Sequence, residues 1–281
     1  MFELYKILSK DIQNAKTTEE RTNIIEDNKD VFDFMRQIFL NKIYNDDYKM
    51  VYQPHIENDK CTGAEALFRM NYKNENLNPF VIFAVLRYYG DEKESTSYIL
   101  ENMCKDIKTL SKGKDDFVVS YNINPDFYNR EYCKEILNIL DKHSVKHENF
   151  AVELLEVSSL KDIKSEDIIF IKNNGVKVYL DDFGTGYATK DALNLPFSVV
   201  KIDGSLVSNC NNDDKKADRL SKIVALCNAK GMKTLAERVE NIDEYNKLEE
   251  IGIDKCQGYY FSAGLSIEAF LEKYESNKFE M

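Results

Sequence analysis

The chain has no basic excess, no paired cysteines, few histidines and no long apolar run, and each shortage removes a class of function. With 38 Lys plus Arg against 49 Asp plus Glu, the formal net charge of the 281 residues is −11. Polymeric nucleic acid is held by clustered basic surface, so no DNA or RNA partner is expected. An anionic small molecule is still compatible, provided metal ions and a few Lys or Arg offset the local acidity. Cys61, Cys104, Cys133, Cys210, Cys227 and Cys256 form no C-x-x-C pair. That pattern excludes a zinc knuckle and a disulfide frame and reads as free thiols in a reducing compartment. Of the three histidines, His143 and His147 share a helical spacing but no H-E-x-x-H motif, so they read as surface residues. His55 reads as a structural residue of the first strand. No apolar stretch reaches spanning length, and the first dozen residues are polar and charged. The expectation is a cytoplasmic chain with no membrane segment.

What is present centres on residues 176–186, V-K-V-Y-L-D-D-F-G-T-G. Alternating Val176, Val178 and Leu180 give a buried strand. It ends in adjacent carboxylates, Asp181 and Asp182, ahead of a glycine-punctuated turn. Like charges side by side at a strand end are unfavourable unless a cation neutralises them, and oxygen-only ligands suit a hard divalent ion. Taken alone, the pair is also what an ordinary helix cap looks like.

Along the chain, residues 1–44 show helical spacing, with Thr17 to Arg21 carrying cap-type residues that open a second helix. Strands over 50–56 and 64–69 are joined by a connection too short for a crossover, which makes them an antiparallel hairpin. Helical stretches cover 79–90 and 95–110. Strands at 117–123, 150–155, 176–180, 198–202, 232–236 and 255–261 then alternate with helices near 126–140, 162–173, 188–193, 215–230, 242–251 and 267–273. The pattern predicts an α/β fold, a modified TIM-type (βα)8 barrel with an antiparallel first strand. The division is a short N-terminal helical extension, 1–44, and a barrel domain, 45–281.

In such barrels the working groups lie at the C-terminal strand ends. Those ends carry Glu65, Asn122, Glu153 with Glu156, Asp181 with Asp182, Lys201 with Asp203, Glu237 with Glu240, and Gln257. A ring of carboxylates on one rim repels itself unless cations are bound. Two divalent ions relieve it, and two-metal sites hydrolyse phosphate esters. Lys201 would stand beside the attacking water and restrain it.

These residues resemble the EAL domain family of cyclic di-GMP phosphodiesterases. The likeness rests on Tyr52-Gln53-Pro54, Glu65-Ala66-Leu67-Phe68-Arg69, Asn122 in Y-N-I-N-P, Glu153-Leu154-Leu155-Glu156, Asp181-Asp182-Phe183-Gly184-Thr185-Gly186, Lys201-Ile202-Asp203, Ala236-Glu237-Arg238-Val239-Glu240 and Gln257-Gly258-Tyr259. It implies hydrolysis of cyclic di-GMP to linear pGpG with two Mg2+ or Mn2+ ions. One metal would be held by Glu65, Asn122, Glu153 and Asp181, and the second by Asp181, Asp182 and Glu237. By the same resemblance Glu65, Lys201, Glu237, Asp182 and Gln257 serve catalysis, and Arg69, Gln53, Leu67, Asp203 and Gln257 meet the substrate. Glu156 and Glu240 brace loops, and the barrel forms a homodimer. Three departures stand out: Arg238 where the family has glycine, a segment 188–195 one residue short, and Ala263-Gly264-Leu265-Ser266 in place of K-P-L-P. A cyclic di-GMP receptor without turnover and a protein-interaction module are the rival readings. The complete acidic set argues against both.

Overall fold

In the computed structural model, the structure describes residues 1–114, 116–155, 160, 162–184, 192–276 and 279. Two compact units divide the chain, Met1–Met50 with Phe68–Met103 and Val51–Leu67 with Cys104–Met281.

The first unit begins with α1 (Phe2–Asn14), α2 (Thr18–Asp27) and α3 (Lys29–Tyr44). Phe2, Tyr5, Leu8 and Ile12 recur at three- and four-residue intervals and form the buried stripe of α1. Thr17 opens α2 through a capping box with Glu20, as its residue types predict. Tyr5 stands edge-on to Phe32 and Phe39, with ring centroids 6.2 and 6.0 Å away. Strands β1 (Lys49–Glu57) and β2 (Lys60–Tyr72) follow, and the end of β2 pairs with the short β3 (Glu75–Leu77). This last hairpin is absent from the sequence reading. Its turn residues, Lys73 and Asn74, take φ of 50° and 64°. Helix α4 (Pro79–Tyr89) starts at an Asn78 cap with proline in its first turn, and stops where Gly90 takes φ 80°. Helix α5 (Glu92–Leu110) comes next.

The second unit is the barrel. Asn58 and Asp59, both left-handed (φ 50° and 59°), make the two-residue turn between β1 and β2 that suits a hairpin. The remaining elements alternate: β4 (Val118–Ile123), α6 (Arg130–Lys142), β5 (Phe150–Leu155), α7 (Ser165–Asn173), β6 (Lys177–Phe183), β7 (Val199–Ile202), α8 (Gly204–Val207), α9 (Asp214–Ala229), β8 (Lys233–Ala236), α10 (Ile242–Ile251), β9 (Lys255–Cys256) and α11 (Ile267–Glu275). The sheet order is β1-β9-β8-β7-β6-β5-β4-β2-β3, and pairing of β1 with β2 closes eight strands into a barrel. β2 and its successors round to β9 run parallel, while β1 is antiparallel to β9 through Ile56 and Cys256. The TIM-type barrel with a reversed first strand is therefore the fold. Val118, Ala151, Tyr179, Val199 and Leu235 form a buried apolar cluster.

The final strand ends at Cys256, five residues before the expected end. There the chain folds back over Val239, with Val239 N donating to Gln257 O (3.1 Å) and Tyr260 N to Val239 O (3.0 Å). Gly258 makes the approach possible, since a Cβ there would lie 2.1 Å from the Val239 carbonyl oxygen. The helix expected at 188–193 lies mostly outside the described residues, and Ala192–Asn194 form a 3-10 turn.

Candidate active site

Lys201 is the centre of the site. It lies on β7, fully buried, between Val200 and Ile202. A lysine at such a position is stable only if its charge is paired. Its Nζ lies 2.6 Å from Glu153 Oε2, 2.8 Å from Asp181 Oδ1, 3.0 Å from Glu237 Oε1 and 3.2 Å from Glu65 Oε2. Strands β2, β5 and β6 and the residue after β8 thus converge on one ammonium. The rim expected from sequence exists, and it contains an internal cation.

Asp181 and Asp182 show how sequence neighbours reach one site. In a regular strand they would point to opposite faces. The β6–β7 register shifts between Leu180 and Phe183, and Asp182 takes φ 56°. Such a bulge re-aims a side chain, and Asp tolerates the left-handed region better than most residues. As a result, carboxylate oxygens of Asp181, Asp182 and Glu237 lie within 4.8 Å of one another.

Polar neighbours tune these acids unequally. Asn122 Nδ2 donates to Glu65 Oε1 (2.9 Å) and Gln257 Nε2 to Glu65 Oε2 (2.7 Å). Gln257 Nε2 also donates to Gln53 Oε1 (3.0 Å), and Gln53 Nε2 to the Ser262 carbonyl (3.0 Å). Burial opposes the Glu65 charge, but Lys201 and these donors overcome it and hold its carboxyl below the usual value. Glu153 has Lys201 on Oε2 only, and its buried Oε1 has no hydrogen-bond partner. Burial, with the Glu65 charge adding to it, therefore pushes Glu153 well up. Burial also raises Asp181, raises Asp182 to about 6 with Asp181 adding to it, and raises Glu237 to about 8. For Lys201 burial works against the charge, yet the carboxylates outweigh it and keep the ammonium protonated.

The other expected residues are placed as follows. Asp203 is buried and caps α8 through Ser205 N (2.9 Å), and the Arg238 Nη2 stands 3.4 Å from its Oδ2. Leu67 is half-buried in the barrel unit. Arg69 belongs to the first unit, where it is exposed and donates to the Phe68 carbonyl (2.8 Å). Glu240 is exposed, and its backbone N donates to Glu244 Oε2 (2.9 Å). Glu156 lies outside the described residues. Tyr259 is 74% exposed. Arg238 adopts φ 56°, a conformation glycine adopts without strain. His55, read from sequence as a structural residue of the first strand, lies on β1 and is fully buried, and it also offers a ring nitrogen within 4.8 Å of Glu65 and Glu153 oxygens. The signal was available, since alternation along β1 carries Gln53 and His55 to the same face.

The EAL domain family model matches residues 36–263. The chain belongs to the EAL domain family. Among similar proteins, signaling protein YkoW of Bacillus subtilis is 27% identical over 251 residues, covering 86% of this chain and 31% of YkoW. Cyclic di-GMP phosphodiesterase RocR of Pseudomonas aeruginosa is 25% identical over 236 residues, covering 81% of this chain and 60% of RocR. The chain thus spans about a third of the length of several curated relatives, 31–35%. The EAL enzyme Bd1971, solved with cAMP and cyclic-di-GMP bound, superposes with a TM-score of 0.79 at 24% identity, covering 94% of this chain and 77% of that one. That superposition establishes the shared EAL barrel. No helix among the described residues is long and apolar enough to cross a membrane.

Proposed function

We propose that this EAL domain is a divalent-metal-dependent phosphodiesterase that opens cyclic di-GMP to linear pGpG. The observation that carries the reading is the intact acidic ring. Glu65, Glu153, Asp181 and Glu237 surround one buried ammonium, with Asp182 folded in beside them. One cation against five carboxylates leaves a negative cavity. The unpartnered Glu153 Oε1 and Gln257 Oε1 are buried acceptors that fit a bound cation. The donors are hard oxygens, the set that suits Mg2+ or Mn2+.

In this reading Glu65, Asn122, Glu153 and Asp181 would hold one ion, and Asp181, Asp182 and Glu237 the second. Bound there, the ions supply Lewis acidity that makes water a nucleophile and offsets phosphodiester charge. Lys201 keeps the carboxylates in place and presents a positive charge toward the attacking water and the reacting phosphate. Gln257, held by Glu65 and Gln53, orients water or substrate. Arg69, Gln53, Leu67 and Asp203 would contact the nucleotide, and Glu156 and Glu240 would brace the loops. Residues 1–44 act as a helical extension to a 45–281 catalytic domain. A homodimer working in the cytoplasm completes the reading, consistent with six free cysteines.

The test is purified protein with cyclic di-GMP in Mg2+, Mn2+, Ca2+ or chelator, with products read by chromatography. Metal-dependent pGpG is expected. Tight binding of cyclic di-GMP with no pGpG under either Mg2+ or Mn2+ would instead establish a receptor.

A further inference from the structure

Below the carboxylate rim, the interior of the barrel contains a nitrogen donor that the oxygen-only site does not use. His55 has no solvent exposure, and neither Nδ1 nor Nε2 makes a well-formed hydrogen bond, although the Gln257 side chain lies within hydrogen-bonding reach of the ring. A buried imidazole so poorly satisfied is rare in folded proteins. His147 shows the ordinary case, with Nδ1 2.7 Å from the Asn174 carbonyl and Nε2 3.0 Å from Asp141. Gly63 adjoins the ring: a Cβ there would meet His55 Nδ1 at an ordinary contact distance of 3.4 Å, and it is the Val118 carbonyl oxygen, 2.4 Å away, that excludes a side chain. The neighbours of His55 are chemically matched to it. One ring nitrogen and one oxygen each from Glu65 and Glu153 lie within 4.8 Å of one another, and Glu153 Oε1 is buried and unpartnered.

Three donor atoms that share an ion at roughly 2.1 Å stand about 3.6 Å apart when evenly spaced in one plane. A contraction of about 1.2 Å at most would bring the three donors onto one cation. We infer that His55 is a third-element ligand from β1, completing a mixed nitrogen–oxygen centre with Glu65 and Glu153 that prefers Mn2+ or a later first-row transition ion over Mg2+. Imidazole suits Fe, Ni, Cu and Zn, whereas carboxylate and carbonyl oxygens suit Mg2+ and Mn2+; Mn2+, at the start of the first-row transition series, accepts a nitrogen ligand that Mg2+ disfavours. The inference rests on the metal-dependent reading above and adds the selectivity of one of its two sites.

The experiment uses the full chain with 15N-imidazole histidine, loaded with Mn2+ alone and measured by pulsed electron paramagnetic resonance. A directly bound histidine nitrogen is expected to couple to Mn2+ in the wild type, and His55→Leu should lose it. In that variant Mn2+ affinity should fall by at least about 10-fold, the lower end of what losing even an outer-shell partner produces, with Mg2+ affinity nearly unchanged. Mn2+ bound without histidine coupling, or equal loss of both ions, overturns the inference and leaves the phosphodiesterase reading standing. Failure to bind Mn2+ at all overturns both. If His55→Leu does not fold, the wild-type nitrogen coupling decides alone.

Discussion

Replacing Lys201 with methionine removes the ammonium and keeps an unbranched side chain of similar length, so little cavity is created. What changes is charge. Four carboxylates within 3.2 Å of Nζ lose their shared cation. Breaking a buried ion pair from one side typically destabilises by about 3–5 kcal/mol, because the remaining charge is left without compensation. The carboxylates can escape by taking up protons, so the deficit depends on pH. Without Lys201, Glu65 loses the main charge that holds its pKa down, the folded pKa values of Glu153, Asp181 and Glu237 rise further above the unfolded ones, and the stability these groups contribute is lost as pH rises. Urea unfolding in chelator should therefore show a small deficit near pH 5 and one of about 3–5 kcal/mol near pH 8. Divalent metal should narrow the gap, since it replaces the missing charge and no longer competes with a neighbouring ammonium. Turnover should stay low even with metal saturating, on the order of 10²–10³ below wild type, because the charge directed at the attacking water is gone. A stability loss under 1 kcal/mol at pH 8 or a larger loss at pH 5 would refute the charge argument. Normal turnover would refute the role given to Lys201 in the reaction.

The metal-free wild type should also lose stability with rising pH. Folding raises Glu237 from 4.5 to about 8 and Asp182 from 3.8 to about 6, mainly through burial. Their contribution is complete below the unfolded values and is lost as pH rises through about 6 and then about 8. Melting in chelator from pH 5 to 8.5 should show a decline worth on the order of 3 kcal/mol, which saturating Mg2+ or Mn2+ abolishes; a rise with pH would contradict the burial argument. Arg238→Gly should raise stability by up to about 1 kcal/mol, since it relieves left-handed strain of about 1–2 kcal/mol at some entropic cost to the unfolded chain. The 3.4 Å contact with Asp203 offsets little because Arg238 is 69% exposed on its side chain, so a measured loss in urea unfolding would show a structural role for the arginine. Deleting residues 1–44 removes Phe32, Met35 and Phe39 from the buried core of the first unit. Light scattering should then report aggregation, whereas unchanged mass, solubility and turnover would reduce the segment to a linker.

The barrel was legible because strand-like apolar runs alternate with amphipathic helical ones and the first two strands are joined too closely for a crossover, although the turn falls at Asn58-Asp59 and β2 starts at Lys60, before the expected 64. The opening of α2 was legible from its cap-type residues at Thr17 to Arg21, and the other helices from their apolar spacing. The ends of elements were less so. Gln257 to Phe261 read as strand by composition, but Gly258 bends the chain over Val239 and pairing stops. Among the site residues, sequence identified the ring but not its internal geometry. Asp181 and Asp182 should diverge in any regular strand, and only the bulge brings both inward. Lys201 could be assigned to the rim, yet its contact with four carboxylates depends on four separate strands converging, which no local pattern encodes.

That convergence also accounts for the choice of lysine over arginine at the centre. A guanidinium presents its donors in a planar fork suited to one or two carboxylates lying in its plane. Here the acceptors come from β2, β5, β6 and the end of β8, so they surround the cation instead of lying in one plane. A compact ammonium serves them all from a fully buried position, with every contact between 2.6 and 3.2 Å. It leaves Glu153 Oε1 buried and without a hydrogen-bond partner. The same feature that would make the metal-free barrel sensitive to pH would make it receptive to divalent cations, so the pH and metal dependence predicted above would share one electrostatic origin.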